Sequence, residues 1–314
     1  MTSRNPAPSP RCASPLLAML LIALALATGC AKAPLTGRSQ MLLFPESEML
    51  TLSVSQYGEL INKSNVVTGT PEAEMIKSVG RRIAAATEEY LIARGQADRL
   101  EKFQWEFNLI DDPAVNAFCM PGGKVAFYTG ILPICRDENG VAVVMGHEVG
   151  HALAQHGNER MSQAVLLGIG TVAATEIGRQ RSNEEAVLYG SLFGIGSAVG
   201  VALPHSRKQE HEADEMGLVL MSLAGFDPRT APPFWERMAA QSGGSNVPGF
   251  LSTHPVSEAR AKRLAELMPD AITVHETGVL PVRWTLAPHR QPAWLQPVEV
   301  AWLDEHEPGG ACCR

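Results

Sequence analysis

The chain has 314 residues, 45% hydrophobic and 19% charged, which fits a globular protein with a sizeable core in one large domain or two small ones. A formal net charge of −7 argues against a nucleic-acid footprint, and no nucleic-acid partner is expected.

The N-terminus places Arg4 and Arg11 before an apolar run over residues 16–27, a signal-peptide pattern too short to span a bilayer comfortably. It ends in Ala27-Thr28-Gly29-Cys30, which resembles a bacterial lipobox, with Ala27 where leucine is usual. Residues 1–29 are expected as a lipoprotein signal peptide and Cys30 as a lipid anchor on a membrane. Ordinary signal cleavage with Cys30 merely nearby is the alternative. Ala31, rather than an aspartate, follows the cysteine and suggests sorting to the outer membrane, on its periplasmic side. In that compartment Cys119, Cys135, Cys312 and Cys313 have three possible pairings. None has C-x-x-C spacing, so no cysteine zinc site is expected.

Residues 30–45, with Ala33-Pro34-Leu35-Thr36-Gly37-Arg38, read as a tether or an arm along the surface. Residues 46–62 look helical. Thr70 as N-cap and Pro71 at the first position open a stronger helix, whose Met75, Val79 and Ile83 recur at helical spacing through Tyr90. Residues 105–110 alternate like a strand, and 115–119 and 125–129 read as short strands around Pro121-Gly122-Gly123. A helix follows over 138–157, expected to be buried on one side by Val141, Val144 and Met145.

Two apolar, glycine-rich stretches, 164–177 and 186–203, each resemble half of a membrane hairpin. Buried or membrane-dipping helices are expected over true spans. Helices are expected over 207–224 and 227–241, then a loop at Gly243-Gly244-Ser245-Asn246, then a helix over 253–268 beginning at His254-Pro255. Residues 46–270 are expected to form the main domain. Residues 271–314, with Trp284, Trp294 and Trp302 among prolines, look like a small appended segment.

The chemistry concentrates in His147-Glu148-Val149-Gly150-His151. On a helix, residues four apart share a face, so both imidazoles can reach one metal at about 2.0–2.1 Å. Glu148 can then take a proton from a water there. A catalytic zinc needs a third protein ligand. Glu210 is a candidate, with Asp214 one turn on to accept a ligand histidine's free N–H. A solvated acidic face is the plainer reading of Glu210, Glu212 and Asp214.

Val115-Asn116-Ala117-Phe118, Pro121-Gly122-Gly123, the H-E-x-x-H, Glu210-x-x-x-Asp214 and Thr253-His254-Pro255 occur in an order that resembles HtpX-type and CAAX-prenyl-protease-type zinc metallopeptidases. The lipobox draws the resemblance toward the periplasmic LoiP/BepA-like lipoprotein branch, over roughly residues 35–270. The resemblance implies an α+β, predominantly helical, zincin-like fold with a small sheet and an H-E-x-x-H helix. It implies one Zn2+ held by His147, His151 and Glu210, with Glu148 as general base and Asp214 behind the ligands. His254 would either stabilise the oxyanion or act as a displaceable fourth ligand, and Arg260 would be a basic residue close to the site, able to offset oxyanion charge. His211 and Glu212 are expected to point elsewhere, and His156 to be structural.

Asn116, Ala117 and Phe118, as an exposed edge strand, could hold substrate backbone by strand addition. The expected activity is zinc-dependent cleavage of unfolded or misassembled envelope proteins, with outer-membrane assembly machinery as a possible partner. Two alternatives stand beside it: a lipoprotein chaperone or assembly factor with a latent metal site, and an integral membrane protease using 164–203 as a hairpin.

Overall fold

A computed structural model describes residues 30–33, 36–165, 206–241, 249–255 and 257–285. The expected signal peptide, the stretch 186–203, all but the first two residues of 164–177, and the loop at 243–246 lie outside these. Among the described residues no helix is long and apolar enough to cross a membrane.

Strands β1 (Cys30–Lys32) and β2 (Ser39–Met41) form an antiparallel pair. The main sheet has four strands: β3 (Val66–Val67), β4 (Glu106–Ile110), β5 (Ala117–Met120) and β6 (Lys124–Tyr128), in the order β3-β4-β6-β5. Only β4 and β6 run parallel. β5 and β6 form a hairpin whose turn needs φ near +80° at both Gly122 and Gly123, a conformation that side chains other than glycine's resist. β5 is the sheet's edge, as expected, but its Ala117 and Phe118 side chains are buried, so it offers backbone rather than side chains.

Helix α1 (Glu46–Lys63) lays the Tyr57 hydroxyl on the Val125 carbonyl of β6. Helix α2 (Pro71–Ala93) starts as expected, with the Thr70 hydroxyl accepting from Ala73 N at 3.2 Å. Its Ile76, Val79 and Ile83 lie in the core.

Helix α3 (Glu138–Leu153) carries the H-E-x-x-H. It is buried on all sides rather than on one, because β5, α2 and a later helix all pack on it and its sequence is apolar around the whole circumference. It also ends earlier than expected. Gln155 turns the chain at φ 56°, an uncommon conformation for a residue with a side chain, and helix resumes over 156–165.

Helix α4 (Arg207–Leu223) opens with a capping box between Ser206 and Gln209, which places Glu210 in its first turn. It crosses α3 at glycines. A Cβ on Gly146 would meet Gly217 O at 2.8 Å, and one on Gly217 would meet His147 N at 2.7 Å. Small residues on both helices let two backbones touch, and that contact brings the two halves of the site within reach.

Helices α5 (Ala231–Ala240) and α6 (Gly249–Thr253) follow, then α7 (Glu258–Thr277). The expected helix over 253–268 is corrected: His254-Pro255 does not start it. His254 ends the short α6, and Ser257 caps α7 by accepting from Arg260 N. A proline cannot donate an N–H, and the residue before it is pushed out of helical geometry, so the chain breaks there. α7 runs through the expected boundary at 270. Beyond it Trp284 is buried and donates to Glu215 Oε1 at 3.0 Å.

Candidate metal centre

The crossing of α3, α4 and the end of α6 gathers His147, His151, Glu210 and His254, all buried, with one donor atom from each within 4.8 Å of the others. The spacings are specific. His147 Nε2 lies 3.0 Å from His151 Nε2, 3.3 Å from His254 Nδ1 and 3.5 Å from Glu210 Oε2. Glu210 Oε1 lies 3.3 Å from His151 Nε2 and 3.1 Å from His254 Nδ1. Four ligands placed tetrahedrally at about 2.0–2.1 Å from one ion would stand roughly 3.3–3.4 Å apart. These five spacings, 3.0–3.5 Å with Glu210 reaching through either oxygen, match those between the ligands of a tetrahedral zinc ion. The cluster's chemistry agrees, since imidazole nitrogens at 3.0 Å both present lone pairs unless a cation or a proton lies between them.

His147 and Glu210 are held from behind. Asp214 Oδ1 accepts His147 Nδ1–H at 3.0 Å, which leaves the Nε2 lone pair facing the cluster. Arg260 donates to Asp214 from Nε and Nη2, both at 2.7 Å, pairs with Glu210 Oε2 through Nη1 at 2.7 Å, and lies over the Trp235 ring at 4.2 Å. Burial alone would raise the acids' pKa values; His254 and Arg260 instead hold Glu210 well below the usual carboxylate range, and Arg260 with His147 holds Asp214 down. Burial works to lower His147, but the hydrogen bond it donates to Asp214 and the contact with Glu210 push it up to about 9 in the metal-free chain. His151, where burial dominates, is held well below its ordinary value and stays neutral.

Glu148 Oε1 is buried, makes no hydrogen bond, and lies 3.6 Å from His254 Nε2. Burial pushes its carboxyl up, while His254 and His147 pull it back. An unpartnered acceptor beside a metal cluster, with a raised pKa, suits a base waiting for a water.

A cleft opens on this cluster. Glu148, His151 and His254 line it on one side, and Asn116, Ala117, Phe118 and the rest of β5 on another. Arg160, buried and lowered to about 10 by desolvation, lines it as well.

The structure thus brings His147, Glu148, His151, Glu210, Asp214 and His254 together. Arg260 is there too, but its N–H groups go to Asp214, Glu210 and the Pro255 carbonyl at 3.0 Å. It faces the two acids and so orients them, whereas His254 and Arg160 line the cleft. Arg160 escaped notice in the sequence because a turn at Gln155 decides where it points. Glu212, expected to point elsewhere than the metal, and His156, expected to be structural, meet behind a ligand: His156 Nδ1 lies 2.8 Å from His151 Nδ1, and its Nε2 3.1 Å from Glu212 Oε2. Their i, i+5 and i, i+2 offsets from ligands were the available signal. Cys119 and Cys135 are free thiols.

A buried His/His/carboxylate set beside an unpartnered glutamate is the site of a zinc peptidase. Residues 78–268 match the model of peptidase family M48, and the chain belongs to that family. The mitochondrial metalloendopeptidase OMA1 of Schizosaccharomyces pombe is 37% identical over 228 residues, covering 72% of this chain and 60% of that protein. OMA1 of Saccharomyces cerevisiae is 32% identical over 256 residues, 78% of this chain and 71% of that protein. The β-barrel assembly-enhancing protease of Escherichia coli is 28% identical over 165 residues, 51% of this chain and 33% of that protein. The chain thus spans about 60% of the S. pombe relative. The expected LoiP/BepA-like branch is not singled out, since identity and coverage are both higher toward these two fungal OMA1 proteins than toward the E. coli protease.

Proposed function

We propose that the chain is a zinc-dependent endopeptidase, held by a lipid on Cys30 at the periplasmic face of a bacterial outer membrane, that cleaves unfolded or misassembled envelope proteins. The observation that carries the activity is the close gathering of His147, His151, Glu210 and His254 beside Glu148, whose Oε1 makes no hydrogen bond. The names of the relatives support it, and the E. coli name supports a role around outer-membrane assembly. The anchor rests on the lipobox and the apolar run before it.

When bound, zinc supplies Lewis-acid polarisation of the scissile carbonyl and acidifies a water. Glu148 takes the water's proton at Oε1 and passes it to the leaving amine. β5, an edge strand along the cleft, pairs with an extended substrate backbone. That mode admits unfolded segments and excludes folded ones. His254 and Arg160 offset the negative charge that develops on the carbonyl oxygen. Glu148→Gln keeps zinc and fold and lowers casein cleavage by about 10²–10⁴-fold. Undiminished cleavage by the purified variant would defeat the assignment.

His254 favours a second reading. Its Nδ1, 3.3 Å from His147 Nε2 and 3.1 Å from Glu210 Oε1, is close enough to serve as a fourth ligand in the position a substrate needs; on this reading the resting site is latent and the chain acts mainly as an assembly factor. Casein digestion with and without His254→Ala separates the two. Activity that appears only in the variant indicates latency, and activity in the parent that falls in the variant indicates the oxyanion role.

A further inference from the structure

The second histidine ligand is held by a series of contacts that ends on the N-terminal arm. His151 meets His156, and His156 meets Glu212, at the distances given above. Glu212 then receives Arg38 Nε at 2.6 Å and the Thr36 hydroxyl. The other two nitrogens of Arg38 hold both oxygens of Glu159, at 2.7 and 2.8 Å. Glu159 accepts in turn from Gln209 Nε2 at 2.7 Å, one residue before the ligand Glu210. His156, Glu159, Gln209 and Glu212 are all buried.

Ligation assigns a direction to each proton in this series. If His151 turns Nε2 to the metal as a neutral ring, its proton sits on Nδ1. His151 then donates and His156 Nδ1 accepts. A neutral His156 that accepts at Nδ1 carries its proton on Nε2 and donates it to Glu212. Glu212 is a carboxylate acceptor, fixed by a cation and a hydroxyl on its far side. Reversing either imidazole would set two lone pairs against each other. His147 needs no such series, because Asp214 serves it directly.

We propose that Arg38, acting through Glu212 and His156, is a positioning residue that sets the tautomer and orientation of His151, so that the N-terminal arm is a built part of the metal centre. The proposal rests on His151 being a zinc ligand through Nε2.

Zinc affinity of the full chain, measured by competition with a chromogenic chelator, tests it alongside melting temperatures of the chelated and zinc-loaded forms. Arg38→Gln and His156→Phe are expected to weaken zinc binding about 10–100-fold. Arg38→Lys should recover part of the loss. Glu212→Gln, which keeps the shape and removes the charge, should weaken binding as well and guards against misfolding of the other variants. Nitrogen-15 spectra of the zinc-loaded parent should show His156 neutral with its proton on Nε2. Affinities within twofold of the parent in Arg38→Gln and Glu212→Gln, with equal melting losses in both forms, would reduce the series to ordinary stabilisation and overturn the proposal. So would a His156 protonated at Nδ1. A parent that binds no zinc overturns the metal centre first, and the relay with it.

Discussion

Arg260 shows how much one buried residue governs here. It is the cation shared by Asp214 and Glu210, with all three side chains at most 4% exposed. Removing one partner of such a set leaves a buried charge uncompensated, which typically costs about 3–5 kcal/mol. Arg260→Ala is expected to lower stability by that order in denaturant unfolding, and to weaken zinc binding as Glu210 loses its orientation. A loss below about 1 kcal/mol would mean that solvent reaches the acids. His147 makes a prediction about pH. Its pKa in the metal-free chain is raised from 6.5 to about 9, so the stability it contributes is complete below pH 6.5 and disappears as pH climbs through 9. Zinc must displace that proton, so affinity moves the other way, rising by up to tenfold per pH unit over the same window. Chelator competition at pH 6.5, 7.5 and 8.5 measures it, and a flat response would show that His147 is already neutral.

The crossing of α3 and α4 is the element on which the site depends. A methyl on Gly217 would stand 2.7 Å from the His147 backbone nitrogen, so the two helices would have to separate. Gly217→Ala is expected to cost about 1–3 kcal/mol, typical of overpacking, and to lower zinc affinity by moving Glu210 from the imidazoles. Gly58, in the middle of α1, has nothing within 4 Å of its missing Cβ. Gly58→Ala should therefore stabilise, by about 0.5–1 kcal/mol, through helix propensity alone. Thermal melts of the two variants should shift in opposite directions. The start of α2 was legible in the sequence because Thr70 caps it and Pro71 follows. The start of α7 was misplaced because His254-Pro255 looked like an opening. Ser257, with its hydroxyl on Arg260 N, is the actual cap.

At the scale of the molecule, three distant segments meet on the core around α3. The arm docks by Arg38, the sheet by β5, and the C-terminal side by Trp284 against Glu215. Trp284→Ala should cost about 3–5 kcal/mol, as large aromatic truncations in cores do, and would show by urea titration whether residues beyond 270 belong to the same cooperative unit. The sequence alone determined the two imidazoles, their helical spacing and a carboxylate beside them, because i, i+4 geometry is local and survives without knowledge of the fold. It also determined most of the longer helices and three strands of the main sheet, β4, β5 and β6, but not the short β1, β2 and β3. Only the tertiary structure decided that Glu210 and His254 reach the same point as the two imidazoles, that Arg260 faces acids rather than the cleft, and that His156 leads from a ligand to Arg38. Those facts depend on a glycine crossing, on a turn at Gln155 and on the docking of an arm more than a hundred residues away. Such long-range packing leaves no periodic trace along the chain.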